Sequence, residues 1–131
     1  GSKYMDQILK ILVIDQDANN ADNIVRTIKS SGFAVRETIV SSKKQLEEVK
    51  DLEINLHIII QTNNIDGLSI KNARDAFNLN THETPIVALC DDVSNQQSQL
   101  FTDGANIVLP SNDSELLKQA TSRLVQIEFY I

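Results

Sequence analysis

Several residue types that shape small proteins are scarce in this 131-residue sequence, which has one cysteine, no tryptophan, two prolines and four glycines. The single Cys90 cannot form a disulfide within the chain, which favours a reducing compartment such as the cytosol. No apolar run approaches the roughly 20 residues that cross a bilayer, and the chain does not open with the pattern of a signal peptide. We therefore expect a cytoplasmic protein without membrane insertion.

Positive charge is also scarce. Lysine and arginine together number 12, against 18 aspartates and glutamates, which gives a net charge of −6 without any basic run. No nucleic-acid partner is expected, because phosphate contacts need clustered lysines and arginines. The hydrophobic share of 41% and the charged share of 23% are typical of one globular domain with one core.

The domain boundaries follow from the two ends of the chain. Gly1 and Ser2 resemble a tag remnant, so residues 1–5 are expected to be a tag remnant or a disordered start. Residues 6–128 are expected to form the domain. Residues 129–131 are then the start of a connection to a following domain.

Strand-like and helix-like segments alternate along the chain. Short apolar or β-branched runs predict five strands, at residues 10–14, 33–40, 56–60, 86–90 and 106–109. Five βα units with short connections require right-handed crossovers and a parallel sheet that is covered on both faces. The expected fold is a doubly wound α/β domain, (βα)5, with the flavodoxin-like strand order 2-1-3-4-5.

Capping residues predict where the helices start. The expected caps are Asn19 or Asn20 for the first helix, Ser42 with Gln45 for the second, Asp66 for the third, Ser94 with Gln97 for the fourth, and Asn112, Asp113 or Ser114 for the fifth. Leu52 is expected to be buried by the second helix. The last helix carries an apolar stripe that we expect to face the core, at Leu116, Ala120, Leu124, Ile127 and Ile131.

An acidic cluster follows the first strand, where Asp15 and Asp17 flank Gln16. Ligands of open α/β sheets bind just beyond the carboxyl ends of the strands, so this is where a site is expected. The two carboxylates are able to hold a weak cation. Carboxylates also stabilise the start of a helix without any ligand, and that interpretation is favoured. No glycine-rich phosphate loop follows the strand, so no nucleotide or flavin cofactor is expected.

The order of the elements and four local strings resemble the receiver domain of two-component response regulators. The strings are Ile-Leu-Val-Ile-Asp at 11–15, Asp-Gly-Leu at 66–68, Thr-Pro-Ile-Val-Ala-Leu at 84–89 and Gly-Ala-Asn at 104–106. The resemblance covers nearly the whole chain and implies the CheY-like form of the fold. In a working receiver, two acids after strand one help to hold Mg²⁺, and an aspartate at the end of strand three accepts a phosphoryl group. A serine or threonine after strand four and a lysine after strand five contact the phosphoryl oxygens.

Little of that site is matched here. Carried over by position, the first acid is Asp15, the second is Gln16, the phosphoacceptor is Gln61, the hydroxyl residue is Cys90, the lysine is Ser111 and the switch aromatic is Val108. A glutamine carboxamide does not form the acyl phosphate that a carboxylate forms. The loss of two negative charges also weakens the attraction for Mg²⁺. The resemblance therefore implies a degenerate phosphorylation pocket with no catalytic residue and no metal.

The absent phosphoacceptor and the string Gly-Ala-Asn-Ile-Val-Leu-Pro at 104–110 also resemble the N-terminal domain of FimX-type proteins. In those proteins such a domain precedes PAS, GGDEF and EAL domains, and they act in cyclic-di-GMP signalling and type IV pilus-driven twitching motility. The resemblance implies a non-catalytic module that dimerises or binds a protein partner beside downstream domains of the same chain. Recruitment to the cell pole is left open.

Receivers commonly make such contacts through helix four, strand five and helix five. On that face the candidate interface residues are Leu100, Phe101 and Gln119, with Val108 and Leu116 nearby. Two other functions stay open. One is a receiver that still switches, through metal binding at Asp15 or Asp17 or through an unusual phosphorylation. The other is a flavodoxin-like cofactor binder, which the missing glycine-rich loop disfavours.

Overall fold

The computed structural model describes residues 8–52, 55–77 and 84–130, and only the backbone of residues 128–130. The predicted tag remnant at residues 1–5 lies outside these ranges. Strands and helices alternate in the order β1 Ile8–Ile14, α1 Ala18–Lys29, β2 Ala34–Val40, α2 Lys43–Lys50, β3 Ile58–Thr62, α3 Ile70–Ala76, β4 Ile86–Cys90, α4 Val93–Thr102, β5 Ile107–Pro110 and α5 Ser114–Tyr130.

The five strands form one sheet in the order β2-β1-β3-β4-β5, and every neighbouring pair is parallel. The predicted fold class and strand order are confirmed. The three pairings that join β1, β3, β4 and β5 bring the carboxyl ends of these strands to one edge of the sheet. Ile14 is paired with Gln61, and Cys90 is paired with Pro110.

The core has two halves, because successive side chains of a strand point to opposite faces of the sheet. One half packs β1 residues such as Ile11 and Val13 against α1 and α5. The other half packs the alternate residues Leu12 and Ile14 against α2, α3 and α4. The central strands are buried on both faces, which explains why they appear in the sequence as unbroken apolar runs.

Carboxylates cap α1 and α4, and at α1 this confirms the helix-start interpretation favoured for the acidic cluster. Asp17 caps α1, since its side chain accepts hydrogen bonds from the backbone N–H groups of Asn19 and Asn20, the two residues predicted to be the cap. Asp92 caps α4 in place of the predicted Ser94. Both carboxylates lie two or three residues upstream of the uncharged caps predicted for these helices, and they reach the free N–H groups of the first turn.

The remaining caps divide between confirmation and correction. Ser42 accepts from the Gln45 backbone N–H as predicted, although the Gln45 side chain returns to Ser41 rather than to Ser42. Ser69 caps α3 through a capping box with Asn72, so the predicted cap Asp66 is wrong. Asp113, one of three predicted candidates, accepts from the backbone N–H of Leu116 at the start of α5.

The buried stripe of α5 lies one residue away from the predicted one, although Leu124 of the predicted stripe does pack against the core, and Ile131 lies outside the described residues. Leu117, Thr121 and Val125 face the core, whereas Leu116 and Ile127 are 37% and 56% exposed. Because Thr121 is polar, the stripe is hard to recognise in the sequence. The Thr121 hydroxyl donates to the carbonyl of Leu117 within the helix and is therefore buried at little cost. The prediction for Leu52 is also wrong, since it follows the end of α2 and is 66% exposed.

A buried arginine ties together the end of the sheet opposite the carboxyl edge. The Arg74 side chain donates to the carbonyls of Gly104 and Thr84 and to the side chain of Asn106. Burial lowers the pKa of this guanidinium. Gly104 has a φ of 114°, and a Cβ there would lie 2.6 Å from Nε of Arg74. Only glycine leaves room for this contact between α3 and the α4–β5 turn.

Candidate functional site

A polar cleft lies at the carboxyl edge of the sheet, between the ends of β3, β4 and β5. Its volume is about 220 Å³, and its walls come from Asn20, Thr62, Asn63, Asn64, Leu89, Cys90, Asp91, Gln96 and Ser111. Two of the five predicted pocket residues, Cys90 and Ser111, therefore line the cleft. Most of the other walls are carboxamides and hydroxyls.

Asp15 is fully buried beneath this edge, and its carboxylate is surrounded by donors. Oδ1 accepts from the backbone N–H of Asp17 at 2.8 Å and from Nδ2 of Asn64 at 2.8 Å. Oδ2 accepts from Nδ2 of Asn20 at 2.5 Å. The negative charge is thus met by three N–H groups of the protein, and two of them belong to neutral side chains. Asp17, the second acid of the cluster, is engaged as the cap of α1.

The neighbours of Asn64 determine which end of its carboxamide is oxygen and which is nitrogen. Its Oδ1 accepts from the backbone N–H of Gln16 at 2.9 Å and lies 3.0 Å from the hydroxyl of Thr62, whose single proton it shares with the carbonyl of Ile14, while its Nδ2 donates to Asp15. Exchanging oxygen and nitrogen would place a donor against the Gln16 N–H and an acceptor against the Asp15 carboxylate. Asn64 therefore presents an N–H to Asp15 at the side where a cation would need an oxygen ligand.

Gln16 contributes its backbone rather than its side chain to this network. The residue is exposed, and its N–H is the group bound by Asn64. Neither Asn20 nor Asn64 is among the site residues predicted from the sequence. The available signal was weak: one asparagine lies five residues after Asp15 and the other lies in the loop after β3, and only the fold brings both to the Asp15 carboxylate.

Gln61 does not line the cleft, in contrast to its predicted place in the pocket. It is fully buried, and its Nε2 donates to the carbonyl of Leu68 at 3.3 Å, while its Oε1 has no hydrogen-bond partner in the described part of the chain. The reason is that β3 continues to Thr62, two residues beyond the predicted strand end. Because side chains alternate, Thr62 faces the cleft, and its hydroxyl donates to the carbonyl of Ile14.

The far wall is formed by the ends of β4 and β5. The hydroxyl of Ser111 donates to the carboxylate of Asp91 in a short hydrogen bond, which links the two strand ends. Burial raises the pKa of the Cys90 thiol, and the neighbouring carboxylates of Asp91 and Asp92 raise it further. A thiol in this environment stays protonated at neutral pH and is a poor nucleophile.

The predicted interface residues separate in the structure. Leu100 is only 3% exposed and packs in the core, so its assignment to an interface is wrong. Phe101 is 48% exposed and Gln119 is exposed on α5. Val108, at the position matched to a switch aromatic, is half-buried and packs against the core half beneath α4.

Charge at the cleft is limited to acidic groups that already have protein partners. Among the described residues, no three histidine, cysteine, aspartate or glutamate side chains lie together as a metal site. In the part of the chain that the structure describes, no lysine or arginine lines the cleft. Across the described ranges, none of the helices is long and apolar enough to cross a membrane.

No protein-family model matches the sequence, and no curated protein matches it. Solved structures do match the whole fold. The receiver domain of the sensor histidine kinase PA1611 from Pseudomonas aeruginosa PAO1, with magnesium in its active-site cleft, aligns with a TM-score of 0.70 at 18% identity, covering 91% of this chain and 98% of that one. The chain has the receiver fold.

Two further structures share the receiver fold with this chain. A protein from Burkholderia pseudomallei K96243 that is named as related to pilus assembly aligns with a TM-score of 0.67 at 19% identity, covering 95% of this chain and 92% of that one. An atypical orphan response regulator, described as having a phosphorylation-independent regulatory mechanism, aligns with a TM-score of 0.66 at 13% identity, covering 90% and 96%. At these identities the likeness establishes the CheY-like fold and no more.

Proposed function

We propose that this domain is a receiver-fold interaction module that works without aspartate phosphorylation and without Mg²⁺. The observation that carries the proposal is the state of Asp15. It is the one acid that matches the receiver site, and its carboxylate is enclosed by the carboxamides of Asn20 and Asn64 and by a backbone N–H.

Mg²⁺ requires several oxygen ligands in near-octahedral geometry, and it usually takes one or two of them from carboxylates. To bind at Asp15 it would have to displace two amide N–H donors and find further oxygens, although the second acid position is the exposed Gln16. The phosphoacceptor position adds a second obstacle. Gln61 is not a carboxylate, and it is buried toward Leu68 rather than exposed to a phosphodonor.

A Mg²⁺ titration of the ¹⁵N-labelled protein, followed by NMR, tests the metal part of this proposal. We expect no saturable shifts at Asp15, Gln16 or Asn64, and only weak, non-saturating shifts at exposed acids. Localised saturable shifts at these residues would favour the alternative, a receiver that still switches through a metal.

The contact surface proposed for the module is the face of α4, β5 and α5. Helix α4, Val93–Thr102, contains no charged residue, and Phe101 and Leu116 expose apolar surface on α4 and α5. Uncharged polar side chains cost less to remove from water than charged ones. An uncharged helix therefore supports association of a chain whose net charge of −6 opposes it.

Light scattering at increasing concentration tests dimerisation. We expect Gln119→Arg to shift the protein toward the monomer, and we expect a matched change on α1, Asn19→Arg, to leave the association unchanged. A wild-type protein that stays monomeric at high concentration would contradict dimerisation and leave contact with another protein as the module's role.

The pathway proposed for the module is cyclic-di-GMP signalling linked to type IV pili, in the cytoplasm, as part of a longer protein. It is supported by the resemblance to FimX-type domains and by the receiver fold shared with a pilus-related protein of Burkholderia pseudomallei. GGDEF and EAL motifs after residue 131 in the natural gene product would support the pathway. A gene product without them would contradict it.

A further inference from the structure

The cleft at the carboxyl edge has hydrogen-bonding capacity that the protein itself does not use. Among the described residues, the Asn63 side chain makes no hydrogen bond. Asn20 uses only its Nδ2, toward Asp15, and Gln96 uses only its Oε1, which accepts from the backbone N–H of Asp92. Within the described ranges, the protein leaves without a hydrogen bond both ends of the Asn63 carboxamide, the oxygen of Asn20 and the nitrogen of Gln96. The unused set therefore contains donors and acceptors together.

Charge limits which ligand these groups can hold. An anion would find no lysine or arginine in the walls of the cleft. A cation would find one lining carboxylate, Asp91, which already accepts from the hydroxyl of Ser111. Hard cations need more oxygen ligands than that. The cleft disfavours ions of both signs.

Size and shape set a further limit. The cleft volume of about 220 Å³ is below the roughly 300–1,000 Å³ of sites that take drug-sized molecules. A second groove of about 150 Å³, between α1 and the start of α5, shares Asn20, Leu89 and Ser111 with it. Leu89 and Cys90 add apolar surface to one wall, so the ligand meets polar groups on one side and carbon or sulfur on the other.

We propose that this cleft binds an uncharged small molecule that carries both hydrogen-bond donors and acceptors, as a polyol or a small carboxamide does. The position agrees with the general rule that open α/β sheets bind ligands beyond the carboxyl ends of their strands. This site goes beyond the proposed function, because contact through α4 and α5 needs no ligand at the edge of the sheet.

NMR titration of the ¹⁵N-labelled protein tests the site with defined probes. D-ribose represents the polyol, N-acetylglycinamide represents the carboxamide, and Mg²⁺ and inorganic phosphate represent the ions. We expect one neutral probe to give saturable shifts at Asn20, Asn63 and Gln96, with half-saturation on the order of millimolar for so small a ligand. The neutral probe that binds shows whether the cleft takes a polyol or a small carboxamide.

Two variants make the test specific. Asn63→Ala removes an exposed carboxamide that hydrogen-bonds to no described residue, so the fold should persist. Affinity for the neutral probe should fall about 3- to 10-fold, as one lost neutral hydrogen bond implies. Gln97→Ala removes a carboxamide from the exposed face of α4, outside the cleft, and should leave the affinity unchanged.

The proposal is overturned if neither neutral probe gives saturable shifts at the cleft, if phosphate binds there as well as they do, or if the two variants behave alike. Mg²⁺ shifts centred on Asp15 and Asn64 would contradict the proposed function instead, so the two failures are distinguishable.

Discussion

The substitution Asn64→Ala removes the side chain that closes the cleft around Asp15. It deletes the hydrogen bond to a fully buried carboxylate and the bond accepted from the Gln16 N–H, and it leaves the Thr62 hydroxyl to donate to the carbonyl of Ile14 alone. A bond to a charged group contributes about 1.5–3 kcal/mol and a neutral one about 0.5–1.5 kcal/mol. Because Asn64 is itself exposed, water replaces part of this network. We therefore expect a loss of about 2 kcal/mol in the free energy of unfolding.

Urea denaturation at neutral pH measures this loss, and the neighbouring residue supplies the control. Asn63→Ala deletes the same group from the same loop but breaks no hydrogen bond among the described residues, so its effect should stay within about 0.5 kcal/mol. If the two variants unfold at the same urea concentration, the carboxamide of Asn64 does not hold Asp15 in the way described.

Three other predictions concern the core, the interface and the thiol. Gly104→Ala should destabilise the protein by more than Gly32→Ala does in thermal unfolding, because both residues have positive φ but only the first meets the buried guanidinium of α3. Leu100→Ala should lower the free energy of unfolding by about 2–5 kcal/mol in urea denaturation. Phe101→Ala should have a small effect on stability and should weaken association in light scattering. Equal losses of stability in the two variants would contradict the assigned burial. Cys90 should react slowly with iodoacetamide at pH 7 and rapidly in denaturant, and stability should fall as the pH rises past the pKa of the unfolded thiol, because the raised pKa in the folded state means that unfolding then releases a proton.

The fold was predictable because it depends on local patterns that repeat. β4 has the predicted range, since Pro85 and the following apolar run mark both of its ends. β3 was predicted two residues too early. Leu56 extends the apolar run toward its start, with His57 as the one polar interruption, but His57 bonds to the backbone of Lys10 before the strand begins. That bond joins residues 47 positions apart, so no local pattern reveals it.

The site was less predictable because its contacts are tertiary. Asp15 was identified from its place after β1, but the two asparagines that enclose it were not, because a lone asparagine in a loop has no distinctive pattern. Thr62 lines the cleft in place of Gln61 because β3 continues to Thr62. Alternation then exchanges the residue that faces the cleft for the one that faces the core.

An error of register also affects the interface on α5, although a helix repeats every 3.6 residues rather than every two. A one-residue shift in the buried stripe leaves Leu116 exposed and places Leu117 in the core. The buried stripe contains the polar residue Thr121, so it looks less hydrophobic in the sequence than the stripe that begins at Leu116. The sequence pattern therefore favoured the wrong stripe. The correction adds Leu116 to the exposed surface and removes Leu100 from it.

The most direct test of the central claim is mass spectrometry of the intact protein after incubation with acetyl phosphate and Mg²⁺, beside a phosphorylatable receiver domain as the positive control. The account predicts an unchanged mass for this chain under conditions that modify the control. A mass increase of one phosphoryl group, removed by hydroxylamine as an acyl phosphate would be, would contradict it.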